Sequence, residues 1–129
     1  MPTPVHRVQT EIASLAQTYG QPAIINETLR IKWLFGAIEE RPARVAEVVP
    51  VIQRPNGKVL TMLKASYPPG AYRLPSGGIH KGEPILDALL RESYEETGLR
   101  VIVRRFLAII RYQIIAATGR TALLTAGAA

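Results

Sequence analysis

The sequence predicts a small mixed α/β (α+β) protein, and three observations carry that reading. Apolar residues recur at spacings of three and four over residues 5–19 and again after Pro84, the period of a helix face. Residues 45–52 and 100–115 instead alternate or run apolar in the manner of strands. Between the first of these runs and its return arm stands Asn56-Gly57, the strongest short signal for a hairpin turn.

Composition sets the outer bounds. A chain of 129 residues suits one small domain with an appendage, and 47% hydrophobic with 20% charged residues argues against disorder. The absence of cysteine excludes a disulfide scaffold, a thiolate zinc site and a thiol nucleophile. Two histidines, His6 and His80, cannot build a histidine-rich metal site. No apolar run approaches the ~18 residues of a spanning helix, and the start lacks a signal-peptide core, so a cytoplasmic protein is the default expectation. The net charge of +6 invites a nucleic-acid reading.

Along the chain, Val5, Val8, Ile12, Leu15, Ala16 and Tyr19 share one helix face, and Gly20 and Pro22 end the segment. Asn26 is the expected N-cap of a second helix through Leu29, Trp33, Leu34 and Ile38. Residues 1–43 thus read as an N-terminal helical extension, closed by Glu39-Glu40-Arg41-Pro42. Val45, Glu47, Val49 and Val51 open the hairpin, with Pro50 marking an edge or a bulge, and residues 59–63 return. Pro84 suits the first position of a helix that Gly98 closes, with Leu86, Leu89, Leu90, Ser93 and Thr97 toward a sheet. Arg100 onward reads as a strand with Phe106, Ala108, Ile110, Tyr112 and Ile114 on one face.

The helix after Pro84 carries the chemistry. Glu92, Glu95 and Glu96 lie three and four residues apart and project from one patch, with two of them near the C-terminus, where the helix dipole disfavours anions. Helix stability gives no reason to gather them there. A divalent cation does, because hard carboxylate oxygens suit Mg²⁺ or Mn²⁺. The competing explanation is a solvated acidic face. The Gly77-Gly78 turn before the helix favours the metal.

Gly77, Glu83, Arg91, Glu92, Glu95, Glu96, Gly98 and Leu99 match the Nudix box, G-x5-E-x7-R-E-U-x-E-E-x-G-U with U a bulky aliphatic residue. The chain therefore resembles the Nudix hydrolase family over residues 77–99, and the hairpin with Leu74-Pro75-Ser76-Gly77-Gly78 looks like the family's lead-in. Ser93, at the first U, departs from the pattern and touches local packing only. The resemblance implies an α/β/α sandwich with a mixed sheet over residues 44–129. It also implies Mg²⁺- or Mn²⁺-dependent hydrolysis of a nucleoside diphosphate linked to another moiety. Carried over by position, Glu92, Arg91 and Glu95 form the catalytic set. Glu92, Glu95, Glu96 and the backbone carbonyl of Ser76 hold the metal, Glu92 and Glu96 most directly. Gly77, Gly78 and Arg73 face the substrate. Glu83 braces the loop–helix junction and Gly98 ends the helix.

Rival motifs fail on spacing. Leu74 stands where a G-x-S-x-G elbow needs glycine, and no Gly-Lys-Ser/Thr follows Gly82 as a phosphate-binding loop requires. Carboxylates on one helix face do not flank a sugar as a glycosidase pair does. His80 is expected in solvent, Tyr19 and Trp33 in the core or an interface, and Tyr67 and Tyr72 are weak candidates for base contact.

Residues 117–129 are rich in small side chains, and no acid follows Glu96, although many family members place a further carboxylate downstream. The 86 residues from position 44 onward are fewer than the common fold uses, so the domain is expected to be C-terminally incomplete. Two functions follow from different classes: a pyrophosphohydrolase with Glu92 or a metal-bound water as base, and a catalytically compromised module that binds nucleotide, metal or a partner. ADP-ribose, a dinucleoside polyphosphate, a nucleotide sugar and an oxidised nucleoside triphosphate all stay open as substrates. A small nucleotide is the expected partner, a homodimer is allowed, and neither a membrane nor a nucleic acid is expected. Arg100, Arg104, Arg105, Arg111 and Arg120 read as solvated arginines. Residues 83–96 hold five of the ten acids and one arginine, so the positive net charge averages an acidic patch and a basic surround.

Overall fold

The computed structural model describes residues 4–31, 46–66, 68–116 and 121–128. Helix α1 (Pro4–Tyr19) leads into strand β1 (Ala23–Ile31), followed by β2 (Ala46–Val49), β3 (Gly77–Gly78), helix α2 (Ile85–Thr97), β4 (Ala108–Ala116) and β5 (Thr121–Ala128). The strands form one mixed sheet in the order β1-β4-β5-β2-β3. β1 runs parallel to β4 and β5 parallel to β2, while the β4–β5 and β2–β3 pairs are antiparallel. The expected mixed α/β class is what the chain adopts.

The first helix forms as its periodicity requires, and Gly20 caps it with φ +100 while donating to the carbonyl of Ala16. The expected second helix does not form at its start: Asn26, read as its N-cap, lies inside β1. Ile24, Ile25, Thr28 and Ile31 are β-branched, and parallel pairing of Ala23 through Ile31 with β4 satisfies the backbone that a helix would otherwise bond internally. Residues 32–38 of that expected helix, Trp33 included, fall outside the described residues.

The hairpin is shorter than its alternation suggests. β2 stops at Val49, because Pro50 has no N–H to donate, and the return arm holds only isolated bridges, Gln53 to Val59 and Met62 to Arg73. The turn sits at the expected residues. Gly57 donates to Arg54 and alone takes positive φ (+86), while Asn56 keeps negative φ and accepts a bond from the Lys58 N–H on its side chain. Pro55 presets a type I turn, and glycine then supplies the left-handed residue that the bulge needs.

Helix α2 begins one residue later than expected, with Pro84 in extended conformation as its cap. Its buried face is Ala88, Leu89, Glu92 and Ser93; Leu90, assigned to the sheet side, is exposed. Leu89 and Ala88 pack on Val48 of β2, with Ile79, Ile85 and Val103 around them. This is the contact that seats the helix, and burying Leu89 contributes about 2 kcal/mol of transfer free energy. Ser93 is fully buried, and its hydroxyl donates to the Leu89 carbonyl at 2.7 Å, which satisfies the polar atom at a position where the family pattern has an aliphatic side chain.

Two further differences lie downstream. The strand expected from Arg100 begins only at Ala108, and residues 121–128 form β5, flanked on both sides in the sheet. Their alanines and glycine carry no alternation, so sequence pattern alone could not mark them as a strand. No helix among the described residues is long and apolar enough to cross a membrane.

Candidate active site

Strand β3 is two glycines, paired antiparallel with Glu47 and Val48 of β2. The need for glycine at 77 is steric: a Cβ there would overlap the carboxylate of Glu92. One helix carboxylate is thereby brought against the strand backbone, with its side chain largely buried.

Arg91 organises the surroundings. Its Nε donates to Glu83 Oε2 at 2.7 Å and its Nη2 to Glu83 Oε1 at 2.8 Å, a two-pronged grip. Nη2 also donates to the carbonyl of Gly78 at 2.9 Å, and Nη1 to Glu92 Oε1 at 2.7 Å and Glu95 Oε2 at 3.0 Å. Those bonds use all five guanidinium donors. One side chain thus ties the loop (Glu83), the strand (Gly78) and the helix (Glu92, Glu95) together. The hydrogen bond from Arg91 pulls the Glu83 carboxyl down to about 2, and the same partner raises the arginine further above its ordinary value. Glu83 also accepts from the His80 N–H at 3.1 Å, which fixes the loop entering the helix.

Four carboxylates lie on or beside this arginine's helix, and among the described residues a second cation pairs with one of them: Lys64 Nζ lies 3.8 Å from Glu96 Oε2. Lys64 is distant in sequence from the box, and no periodicity or motif could have linked it to Glu96. The Gly78 carbonyl was equally invisible as an arginine partner, since backbone acceptors leave no mark on composition. Glu95 is exposed beyond its bond to Arg91, and His80 is exposed as expected. Ser76 is half-buried immediately before β3, and Gly98 closes α2 with φ 73 and its N–H on the Tyr94 carbonyl. Arg73 is exposed, bridged by its backbone to Met62. Tyr72 is exposed and Tyr19 half-buried; Tyr67 lies outside the described residues.

As a donor set the residues suit a hard divalent ion. The oxygens are carboxylates, Arg91 occupies only Oε1 of Glu92, and the approach at Gly77 sets that carboxylate beside the carbonyl-bearing turn. Among the described residues no three His, Asp or Glu side chains stand close enough together to enclose a metal by themselves. Further oxygens would come from backbone, water or substrate, as Mg²⁺ sites commonly use.

A mixed sheet carrying a glycine strand against an acidic helix, clamped by one arginine, places the chain among mixed α/β proteins. Comparison with known proteins makes this specific: the NUDIX domain matches residues 42–122, and the chain belongs to the Nudix family. It is similar to an RNA pyrophosphohydrolase of Baumannia cicadellinicola subsp. Homalodisca coagulata, 42% identical over 62 residues, covering 48% of this chain and 38% of that protein. An RNA pyrophosphohydrolase of Bartonella quintana (strain Toulouse) is 61% identical over 31 residues, 24% of this chain and 18% of that protein. The matches span less than two-fifths of the length of either curated relative.

Proposed function

We propose that this chain hydrolyses the pyrophosphate linkage of a nucleoside diphosphate derivative with the help of Mg²⁺ or Mn²⁺. The observation that carries this reading is the Glu92 carboxylate, set against Gly77 and held through Oε1 by an arginine whose donors are all engaged. Glu92 and Glu96, with Glu95 and the Ser76 carbonyl, would hold the divalent ion, which when bound neutralises phosphate charge and acidifies a bound water. Glu92 Oε2 is the oxygen left to ligate or to take a proton from the attacking water. Arg91 and Glu83 act as positioning residues: they fix the helix relative to the strand, so that the carboxylates do not reorganise when charge develops. Gly77 gives its side-chain space to Glu92, so the Gly77-Gly78 turn would meet substrate through its backbone, and Arg73 lies upstream as a cation for a phosphate. The names of the relatives favour an RNA as the linked moiety, alongside ADP-ribose, dinucleoside polyphosphates, nucleotide sugars and oxidised nucleoside triphosphates.

A module that binds nucleotide without turnover is the second reading, favoured by the lack of a self-sufficient acidic cluster among the described residues. A panel of those compounds, including a 5′-triphosphorylated oligoribonucleotide, separates the two. Release of phosphate, pyrophosphate or nucleoside monophosphate in Mg²⁺, abolished by chelator, is expected. Binding without release from any member would establish the module.

A further inference from the structure

We propose that Tyr94, Arg100, Ile102, Arg104 and Arg105 form a contact surface for single-stranded RNA, an inference that rests on the proposed nucleotide site only for what such a strand would lead to. The segment after α2 alternates in burial. Val101 and Val103 are half-buried, with Val103 packed against the Val48–Leu89 core, so Arg100, Ile102 and Arg104 turn outward. Arg105 is exposed beside them, and Ile102 is 83% exposed. The Arg100 guanidinium lies 5.8 Å from the centre of the Tyr94 ring, which stays about half exposed. This fixes one arginine over an aromatic face on the outer side of α2.

These arginines make no ion pair with any described residue, and no acid follows Glu96 in the sequence. Solvated surface arginines are usually interspersed with acids; a run of three with an aliphatic and an aromatic side chain between and beside them is not. Cations that track phosphates together with apolar and aromatic faces that take bases are the two components of a single-strand binding surface. A duplex hides its bases from such a face. An anionic membrane would use the cations, but one aliphatic side chain and one tyrosine offer too little apolar surface to insert.

The test measures the affinity of the whole protein for a fluorescent single-stranded 12-mer RNA as a function of salt, without turnover. Comparison ligands are a duplex of the same sequence, ATP and phosphatidylserine vesicles. Replacing Arg100, Arg104 and Arg105 together by Ala should weaken single-strand binding at least tenfold near 0.1 M salt. The slope of log K against log salt should flatten by about 2, from ~0.7 per phosphate contact. ATP binding and circular dichroism should not change. Absence of RNA binding by the unaltered protein, an unchanged slope in the variant, or binding confined to vesicles would each overturn the proposal. RNA binding of the expected kind with no hydrolysis of any pyrophosphate would leave the surface standing and remove the proposed activity instead.

Discussion

The carboxylate of Glu92 fills the space that a Cβ at Gly77 would occupy, so helix α2 and strand β3 meet through the missing side chain of one residue. The glycine is demanded here by close approach, because its φ lies outside the left-handed region that glycine alone favours. Gly77→Ala must therefore displace Glu92 or separate the helix from the strand. The expected result is a loss of turnover of at least about 100-fold, the scale on which misplacing a reacting group acts. The melting temperature should fall by only a few degrees; both are read by a hydrolysis assay in Mg²⁺ and a thermal melt.

Arg91→Lys keeps the charge and loses the fork. A lysine ammonium has three donors on a flexible stem and cannot serve Glu83, Gly78, Glu92 and Glu95 together. Partly buried carboxylates are then left without their partner, and stability should drop by about 2–4 kcal/mol. Denaturant titration checks the figure, and an effect below about 0.5 kcal/mol would mean that the five bonds are not maintained in solution.

Acid should unfold the loop–helix junction over a defined range. Glu83 is held at about 2 in the folded chain against 4.5 ordinarily, principally by its bond from Arg91. A lowered carboxyl contributes stability that is fully present above pH 4.5 and is lost as the pH falls toward 2. Glu83→Gln should remove much of that dependence. The comparison is between the stability–pH curves of the two proteins across this window.

The family pattern and the packing disagree at one position, and the packing should win. Ser93 is fully buried with its hydroxyl on the Leu89 carbonyl, so Ser93→Leu restores the pattern but forces three extra carbons into a filled site. A cost of about 1–3 kcal/mol is expected. Ser93→Ala removes a hydroxyl whose acceptor also lies in the helix ladder, and should cost less than about 1 kcal/mol. Calorimetry on the pair decides the order.

What the sequence disclosed follows from how each signal is encoded. The helix of the site was legible because period, proline and glycine punctuation and a fixed polar spacing all agree over residues 84–98, and it forms within one residue of that expectation. The hairpin turn was legible as a place, but not as a type, because Asn-Gly serves more than one turn. β1 was misread because residues 24–31 satisfy helical spacing and β-branched preference at once, and the parallel partner that decides between them lies far along the chain. β5 was opaque for the opposite reason: alanines and a glycine carry almost no pattern, and pairing with β4 and β2 defines the strand. The spacing of Glu92, Glu95 and Glu96 was readable, although among the described residues these acids do not close into a group that could hold a metal by itself. That Arg91 distributes its donors among loop, strand and helix was not readable, because it depends on backbone placement.

Glu96 bears most directly on the proposed chemistry, since its ion pair with Lys64 is long and partly exposed and contributes little to stability. Glu96→Gln preserves shape while removing the anion. The decisive measurement is single-substrate turnover of this variant against the unaltered protein in Mg²⁺, using whichever nucleotide of the panel is cleaved, with melting temperatures recorded alongside. A fall of at least about 100-fold at unchanged stability is the predicted result. Turnover preserved within a few-fold would contradict the assignment of the helix carboxylates to the metal.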